Sequence, residues 1–395
     1  MASQEGRISS LANRYKRILS HYLRLVRGTP SRGLDASFRS LPPVVQRRML
    51  LSLERSGHVF EMNLDYIRPT LPMYLLSSTT VASGRNFVIP PSGPITISDG
   101  HYWNDLRVHR LRNVVVDPTS ALIFAGNKVI TQSSYGWRSA ADSAALSGAA
   151  VRARRIQDPP TVRGPIAPFG SVVFNYFFFL IHTLPRILHI LSVEPRVTFT
   201  FTDPVPSHVR SALSALDINY EVVSDRPFKH DDVLICDPSR HAWPHPANID
   251  RLNSLDVGGS IDTSSLPRRF YISRIGGARE LVGESDFQEY LESRGFQMIR
   301  LEKLSWPEQV AHFRHAETVV ATHGAGLANT AFMRPGSKVF ELTTGVVWFP
   351  SMRNVSSMAG AQHHLVRLSY TPEFPYGTAQ DAISAMKAVF GDHQL

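Results

Sequence analysis

An α/β fold built on parallel sheets is predicted by three features of the sequence. From Val197 onward, short apolar runs alternate with segments of helical length, and successive strands joined through helices run parallel. At Thr318–Leu327 an apolar run passes straight into His323-Gly324-Ala325-Gly326, a strand-to-turn-to-helix junction of the kind that open parallel sheets use to hold ligands. The chain has 395 residues, 43% of them hydrophobic, which suffices for two cores of ordinary size. The expectation is two facing Rossmann-like domains, over residues 56–240 and 241–395, behind a basic helical arm over residues 1–55.

In the arm, Ile8, Leu11, Tyr15, Ile18, Leu19, Tyr22, Leu25 and Val26 recur at helical spacing, and Gly28 and Pro30 end the pattern. Arg14, Lys16, Arg17, Arg24 and Arg27 decorate that helix. It either packs on its own domain with a solvated basic face or lies on an anionic membrane surface through residues 8–27. Leu71 to Ile130 reads as short strands broken by turns, with Phe87–Ile89, Val114–Val116 and Ala121–Phe124 the clearest. Ser139–Ile156, rich in alanine, reads as a helix. Pro159, Pro160, Gly164, Pro165, Pro168 and Gly170 mark a loop. The apolar stretch Val172–Val193 follows; it carries Asn175, His182, Pro185, Arg186 and His189, too many polar groups for a membrane span, and reads as a buried helix that Pro185 breaks.

Beyond it the expected order is strand Val197–Phe201, helix Ser207–Leu216, and strands Tyr220–Val223 and Val233–Cys236. Residues Pro238–Ser265 have few long apolar runs and are taken as the crossing between domains. Then come strand Arg269–Ser273, helix Ser285–Arg294, strand Met298–Leu301, helix Trp306–Ala316, strand Thr318–Ala321, short helix Leu327–Met333 and strand Lys338–Leu342.

The net charge is +9, but ten basic and only two acidic residues fall between Met1 and Leu53, so the basic character belongs to the arm and not to the fold. A single cysteine, Cys236, excludes an internal disulfide and a thiolate metal cluster. No charged-then-apolar signal pattern opens the chain, and a cytoplasmic protein is the expectation. No G-x-G-x-x-G stands between a strand and a helix, which counts against an NAD enzyme. Nucleic-acid binding is the weakest reading of the basic arm, because no recognition motif accompanies it.

The chemistry concentrates in Thr318–Thr344. Glycines after a buried strand let the backbone approach a ligand closely. Free N–H groups at the following helix start favour a phosphate. His323 falls at the lip of that crevice, and Glu341 ends the next strand, where a carboxylate can accept from ribose hydroxyls. The same residues also fit a tight turn with a structural histidine. Upstream, Tyr271-Ile272-Ser273-Arg274 ends a strand in an arginine, with Arg279 five residues later. Their planar, permanently charged forks suit a diphosphate, or a surface salt bridge.

Taken together, the FYISR strand, Arg279, the helix carrying Glu308-Gln309 and the block HGAGLANTAFMRPGSKVFEL resemble glycosyltransferase family 61 over Phe270–Thr344. The resemblance continues, less cleanly, at Asn175–Arg186. It implies two facing Rossmann-like domains of the GT-B kind, an inverting reaction and no catalytic metal or other cofactor. By the same resemblance Ser273, Arg274 and Arg279 look like donor diphosphate contacts. His323, Gly324, Ala325, Gly326 and Leu327 look like the phosphate-side loop, and Glu341 like a ribose contact. Arg274 would also stabilise the leaving group. Family members usually read Asn-Tyr-x-His-x-x-x-Asp/Glu-x-Leu-Pro-Arg. Here Phe178 stands at the histidine and His182 at the carboxylate. An inverting transfer needs a base, and His182 is the candidate, with a packed helix residue as the alternative. Asn175 and Arg186 either shape the acceptor cleft or act as a helix cap and a salt bridge.

The expected function is therefore transfer of a sugar, most readily from a UDP-sugar, to a glycan or glycolipid acceptor in capsule, cell-wall or lipopolysaccharide synthesis, in the cytoplasm or peripheral to an inner membrane. A polysaccharide pyruvyltransferase-like enzyme and a nucleotide-sugar-binding scaffold that has lost catalysis are the alternatives.

Overall fold

The structure is a computed structural model describing residues 59–60, 66–67, 106–125, 128–130, 133, 162–170, 173, 175–237, 244–259, 261–277, 279–345, 351–371 and 373–392. The basic arm, strand Phe87–Ile89, helix Ser139–Ile156 and both expected domain boundaries lie outside those residues. In chain order the elements are β1 (Val59–Phe60), β2 (Tyr66–Ile67), β3 (Val108–Leu111), β4 (Val114–Asp117), β5 (Leu122–Ala125), β6 (Lys128–Ile130) and β7 (Ile166–Pro168). A long helix α1 (Tyr176–Val193) follows, then β8 (Thr198–Thr202), α2 (Ser207–Ala215), β9 (Tyr220–Val223), β10 (Phe228–His230), β11 (Val233–Cys236) and α3 (Pro246–Asn253). The second half holds β12 (Arg269–Ile272), α4 (Glu284–Glu292), β13 (Gln297–Ile299), α5 (Trp306–His315), β14 (Thr318–Thr322), a 3-10 helix (Ala325–Phe332), β15 (Lys338–Thr343), α6 (Ser351–Met358), β16 (Gln362–Arg367) and α7 (Ala379–Asp392).

The second half is the expected parallel sheet. Its order is β13-β12-β14-β15-β16, every pair parallel. The chain begins at β12, runs outward to β13 and then crosses to β14, so the order reverses between β12 and β14, and ligands bind at such a reversal, beyond the strand ends. Period-two alternation assigns the two faces. Phe270, Ile272, Val319, Ala321 and Val339 join one core with α5, the 3-10 helix and α6. Tyr271, Val320, Phe340 and Leu342 join another with α4 and α7. Helix α5 starts on a full capping box, with Ser305 and Glu308 each accepting from the other's backbone.

The first half departs from the expectation of a purely parallel sheet. Strands β11, β7, β8 and β9 run parallel, but β3 lies antiparallel to β11 and β2 antiparallel to β3. A second sheet, β1-β6-β5-β4-β10, is antiparallel except at β1–β6. The reason is connection length: β4–β5 and β5–β6, which pair antiparallel, are joined by four and two residues, too few for a parallel crossover, while the two-residue links β3–β4 and β10–β11 carry the chain from one sheet to the other. At that bend Arg110 clamps Asp232 through two bonds of 2.6 and 2.7 Å. The proline-rich stretch expected to be loop contains β7, between β11 and β8. Ile166 N donates to Asp232 O and Phe169 N to Thr200 O, so the missing N–H of Pro168 falls on the β11 side, where pairing stops at Val233–Ile166. The expected interdomain crossing holds a helix, α3, capped by the His245 side chain.

Helix α1 is, among the described residues, the one helix long and apolar enough to cross a membrane, and two-thirds of it is buried inside the protein. Leu180, Ile181, Leu184 and Ile187 are wholly inaccessible. Pro185 does not break it, against expectation. Residues Phe179–Thr183 form a π-turn in which Leu184 N reaches back to Phe179 O, and the α-helix resumes with Pro185 in its first turn. The carbonyl that Pro185 cannot satisfy, Ile181 O, accepts instead from Asn248 Nδ2 on α3 at 3.3 Å. The same helix joins the two halves: its residues and those of α2 share one apolar core with β12, α5, β14 and the 3-10 helix. Trp306 N also donates to Ser211 Oγ at 3.0 Å across this contact.

Substituting Asn248→Ala strips Ile181 O of its side-chain donor, and urea unfolding is expected to show a loss of about 1–3 kcal/mol; an unchanged midpoint would show that the π-turn needs no such partner.

Candidate active site

The site forms where the sheet order reverses. Strand β12 runs out into Ser273-Arg274 and β14 into His323-Gly324. The backbone after β12 is held by Glu284, the buried first residue of α4. It accepts from Arg274 N at 2.6 Å, Ser273 Oγ at 3.1 Å and Leu281 N at 3.3 Å. Gln288 Nε2 adds bonds to Ser273 Oγ and Glu284 Oε1. Ser273 is thus committed to this staple, and the staple aims Arg274.

The Arg274 guanidinium packs directly against the glycine turn. A Cβ on Gly324 would overlap its guanidinium, coming within 2.6 Å of Cζ. The φ of Gly324 is 172°, ordinary extended backbone, so the glycine is required by the close approach and not by its conformation. Gly326 has a packing role: a Cβ there would sit 2.9 Å from Leu301 Cδ1. Arg279 Nη1 donates to His323 O at 3.3 Å. Burial, then the neighbouring Arg279 charge, lowers the pKa of Arg274. Two guanidiniums therefore converge on one turn, an arrangement that an anion would relieve.

The expected short helix is a 3-10 helix, Ala325–Phe332, so the charge at the turn comes more from the arginines than from a helix dipole. Asn329 anchors this helix. Wholly buried, it accepts from Tyr176 OH at 2.6 Å and donates to Gln309 Oε1 at 3.1 Å and Gly326 O at 3.2 Å. Gln309 in turn donates to Leu301 O and Leu304 O. Three sequence blocks, around Tyr176, Gln309 and Asn329, are thereby wired together. Leu327, like Asn329, is buried.

A shallow cleft opens beside the turn, lined by Arg279, Thr322, His323, Leu342, Thr343, Thr344 and Tyr376. Tyr376 belongs to a segment pinned over the end of β15, where Thr344 Oγ1 donates to Pro375 O at 2.6 Å.

Glu341 takes a different position from the one expected of a ribose contact. It has no exposed surface, and both carboxylate oxygens accept from imidazoles, Oε1 from His323 Nδ1 and Oε2 from His363 Nε2 at 2.8 Å. Burial alone would raise its pKa; the hydrogen bonds from His323 and His363 outweigh that and hold it down, to about 2. It orients His323 from behind.

The upstream residues are not brought into the cleft lining. His182 is buried in the π-turn, its ring 5.5 Å from that of Phe177 and 5.8 Å from that of Phe178. Asn175 caps α1, accepting from Phe178 N at 3.3 Å. Arg186 is buried, donates through Nε to Cys236 O at 2.9 Å and lies over the Phe169 ring. One turn on, His189 Nδ1 accepts from Arg251 at 3.0 Å, and burial, followed by the Arg251 charge, lowers its pKa to about 4.

The Glycosyltransferase 61 family model matches residues 176–340. That segment is a glycosyltransferase family 61 region. Curated proteins yield no match to the chain. The family 61 segment runs from Tyr176 to Phe340, so it spans the Tyr176–Gln309–Asn329 network, both arginines and the glycine turn. It stops one residue before Glu341; His363, Ser356 and Tyr376 lie beyond it. Sequence reading passed over Glu284, Asn329 and His363. A glutamate directly after Gly283 at the head of an amphipathic helix was a usable signal for the first. Nothing local signalled the other two.

Gly324→Ala is expected to displace Arg274 while the fold persists, weakening pyrophosphate binding by about tenfold or more, the scale of a lost charge-assisted bond; calorimetry alongside a melting curve would reveal it. Because Glu341 titrates lower folded than its ordinary 4.5, it adds stability above that value and loses it as pH falls toward 2. Glu341→Gln should flatten that part of the acid-unfolding curve.

Proposed function

We propose that this glycosyltransferase moves a sugar from a nucleoside diphosphate donor, most readily a UDP-sugar, to a hydroxyl of a glycan or glycolipid, with inversion and without a catalytic metal. The observation that carries the reading is the convergence of Arg274 and Arg279 on the glycine turn at the sheet reversal. The diphosphate lies there, and the two guanidiniums neutralise the charge that grows on the leaving group, as preorganised dipoles and cations do best in a site closed to water. The nucleoside end lies toward Thr343, Thr344 and Tyr376. The two halves face each other as in GT-B enzymes, and the acceptor enters from the α1 side. Capsule, cell-wall or lipopolysaccharide synthesis in the cytoplasm suits such an enzyme, with residues 8–27 as a peripheral membrane contact.

His182 is enclosed by Phe177 and Phe178, which favours one other reading, a nucleotide-sugar-binding protein without transfer. Donor binding with neither transfer nor hydrolysis would decide for it.

A ligand that binds only the folded state raises the melting temperature. A panel of nucleotide sugars and free nucleotides, in chelator, is expected to give a shift with one donor class; no shift with any nucleotide would remove the donor-site assignment. Arg274→Ala is expected to abolish transfer while the protein melts near the wild-type temperature, and normal turnover in that variant would sink the diphosphate role.

A further inference from the structure

The sheet register places three ionisable side chains on one face. Val339 and Glu341 alternate onto the side covered by α6 and the 3-10 helix; His363 pairs with Val339, and His323 follows Ala321 on the same side. Ser356 comes down from α6. The chain of contacts runs Ser356 Oγ to His363 Nδ1 at 2.8 Å, His363 Nε2 to Glu341 Oε2 at 2.8 Å, and Glu341 Oε1 to His323 Nδ1. All four side chains are buried, and only His323 lines the cleft.

The hydrogens of this chain follow from the donors available. An ionised Glu341 only accepts, so both imidazoles donate to it. His323 therefore carries its proton on Nδ1, and Nε2 is the nitrogen on the ring edge away from Glu341. At the far end, Ser356 Oγ is also 3.1 Å from Met352 O and 3.0 Å from Arg353 O. Its single hydrogen can point to His363 Nδ1 or to either carbonyl. His363 can then be neutral or charged with no atom of the chain left unsatisfied.

We propose that Glu341, His363 and Ser356 are positioning residues that prepare His323 to take up one proton on Nε2 when a diphosphate binds. The proposal rests on the cleft being the diphosphate site. The step is one of protonation alone: solvent supplies the proton and an N–H bond forms. The groups facing His323 set the balance. Arg274 from β12 and Arg279 from the following loop oppose a further positive charge. Glu341 from β15 favours it, with His363 of β16 behind, and Tyr376 lines the same cleft. An arriving diphosphate tips the balance toward the charged ring. His323 then adds a third cation when the sugar–oxygen bond breaks and its electron pair stays on the departing diphosphate. The wire explains why a carboxylate is buried behind the site instead of in it: an exposed one would repel the ligand.

Calorimetric titration of the full chain with UDP and with inorganic pyrophosphate, in two buffers of different ionisation enthalpy, measures proton uptake directly. Wild type is expected to take up a proton at pH 7.5, and His323→Gln to take up none. Glu341→Gln and His363→Gln should weaken pyrophosphate binding about tenfold at pH 8 and much less at pH 6. A merely structural loss would be equal at both. Ser356→Ala, which removes one hydroxyl, serves if the larger changes prevent folding, and should show the same pH-dependent loss in smaller measure. Binding without uptake by wild type, or uptake that survives His323→Gln, overturns the proposal while leaving the diphosphate site intact. Failure of wild type to bind either probe overturns the diphosphate site itself, and the proposal with it.

Discussion

The glycine turn at the centre of the site depends on one buried amide, Asn329. A primary amide has two donors and two acceptor positions, and an interior location makes each unmet one costly. Asn329 meets its obligations with Tyr176 from α1, Gln309 from α5 and the carbonyl of Gly326 in its own turn. The glycine turn is therefore fixed from three directions, and α1, which belongs to the first half, is fixed by the same atoms. A 3-10 helix has poorer internal hydrogen bonds than an α-helix, so an eight-residue one benefits most from such external ties.

The second organising principle is charge held apart from its counter-charge. Glu284 and Glu341 are the buried carboxylates nearest the turn. The first spends its oxygens on backbone N–H and hydroxyl groups and the second on imidazoles. Neither forms an ion pair with Arg274 or Arg279 among the described residues. The arginines are held in place by backbone and packing, so their charge is directed at the cleft. Had either carboxylate paired with them, the site would be more stable and less able to hold an anion.

Much of the second half was legible because its parallel strands are short apolar runs set off by capped helices, and pattern and structure there depend on the same physics. Tyr220–Val223 and Val233–Cys236 were read to the residue. The first half resisted because two-residue connections and prolines decide its topology, and those act through which amide faces which neighbour. The site divides in the same way. Arg274, Arg279 and the glycine turn lie close in sequence to strand ends and were found together. Glu341 was seen as a carboxylate at a strand end, but its role depends on His363 one strand away, and only the register reveals that pairing. His182 stood out by its place in a motif, and burial between phenylalanines is a property of packing that no spacing reports.

The π-turn in α1 has a consequence for how sequences of this kind can change. One extra residue within a helical ladder rotates everything downstream by about 100°. Deleting any one of Phe179–Thr183 would restore a regular ladder, although Pro185 would still leave one carbonyl without an amide donor. It would also swing Arg186 off the carbonyl of Cys236 and turn the apolar stripe of Leu184 and Ile187 toward solvent. The defect is thus a gear tooth: the two ends of the helix mesh with different sheets only because the count between them is one too many. Length is constrained here more tightly than identity, and tolerance to substitution in this stretch should coexist with intolerance to a gap.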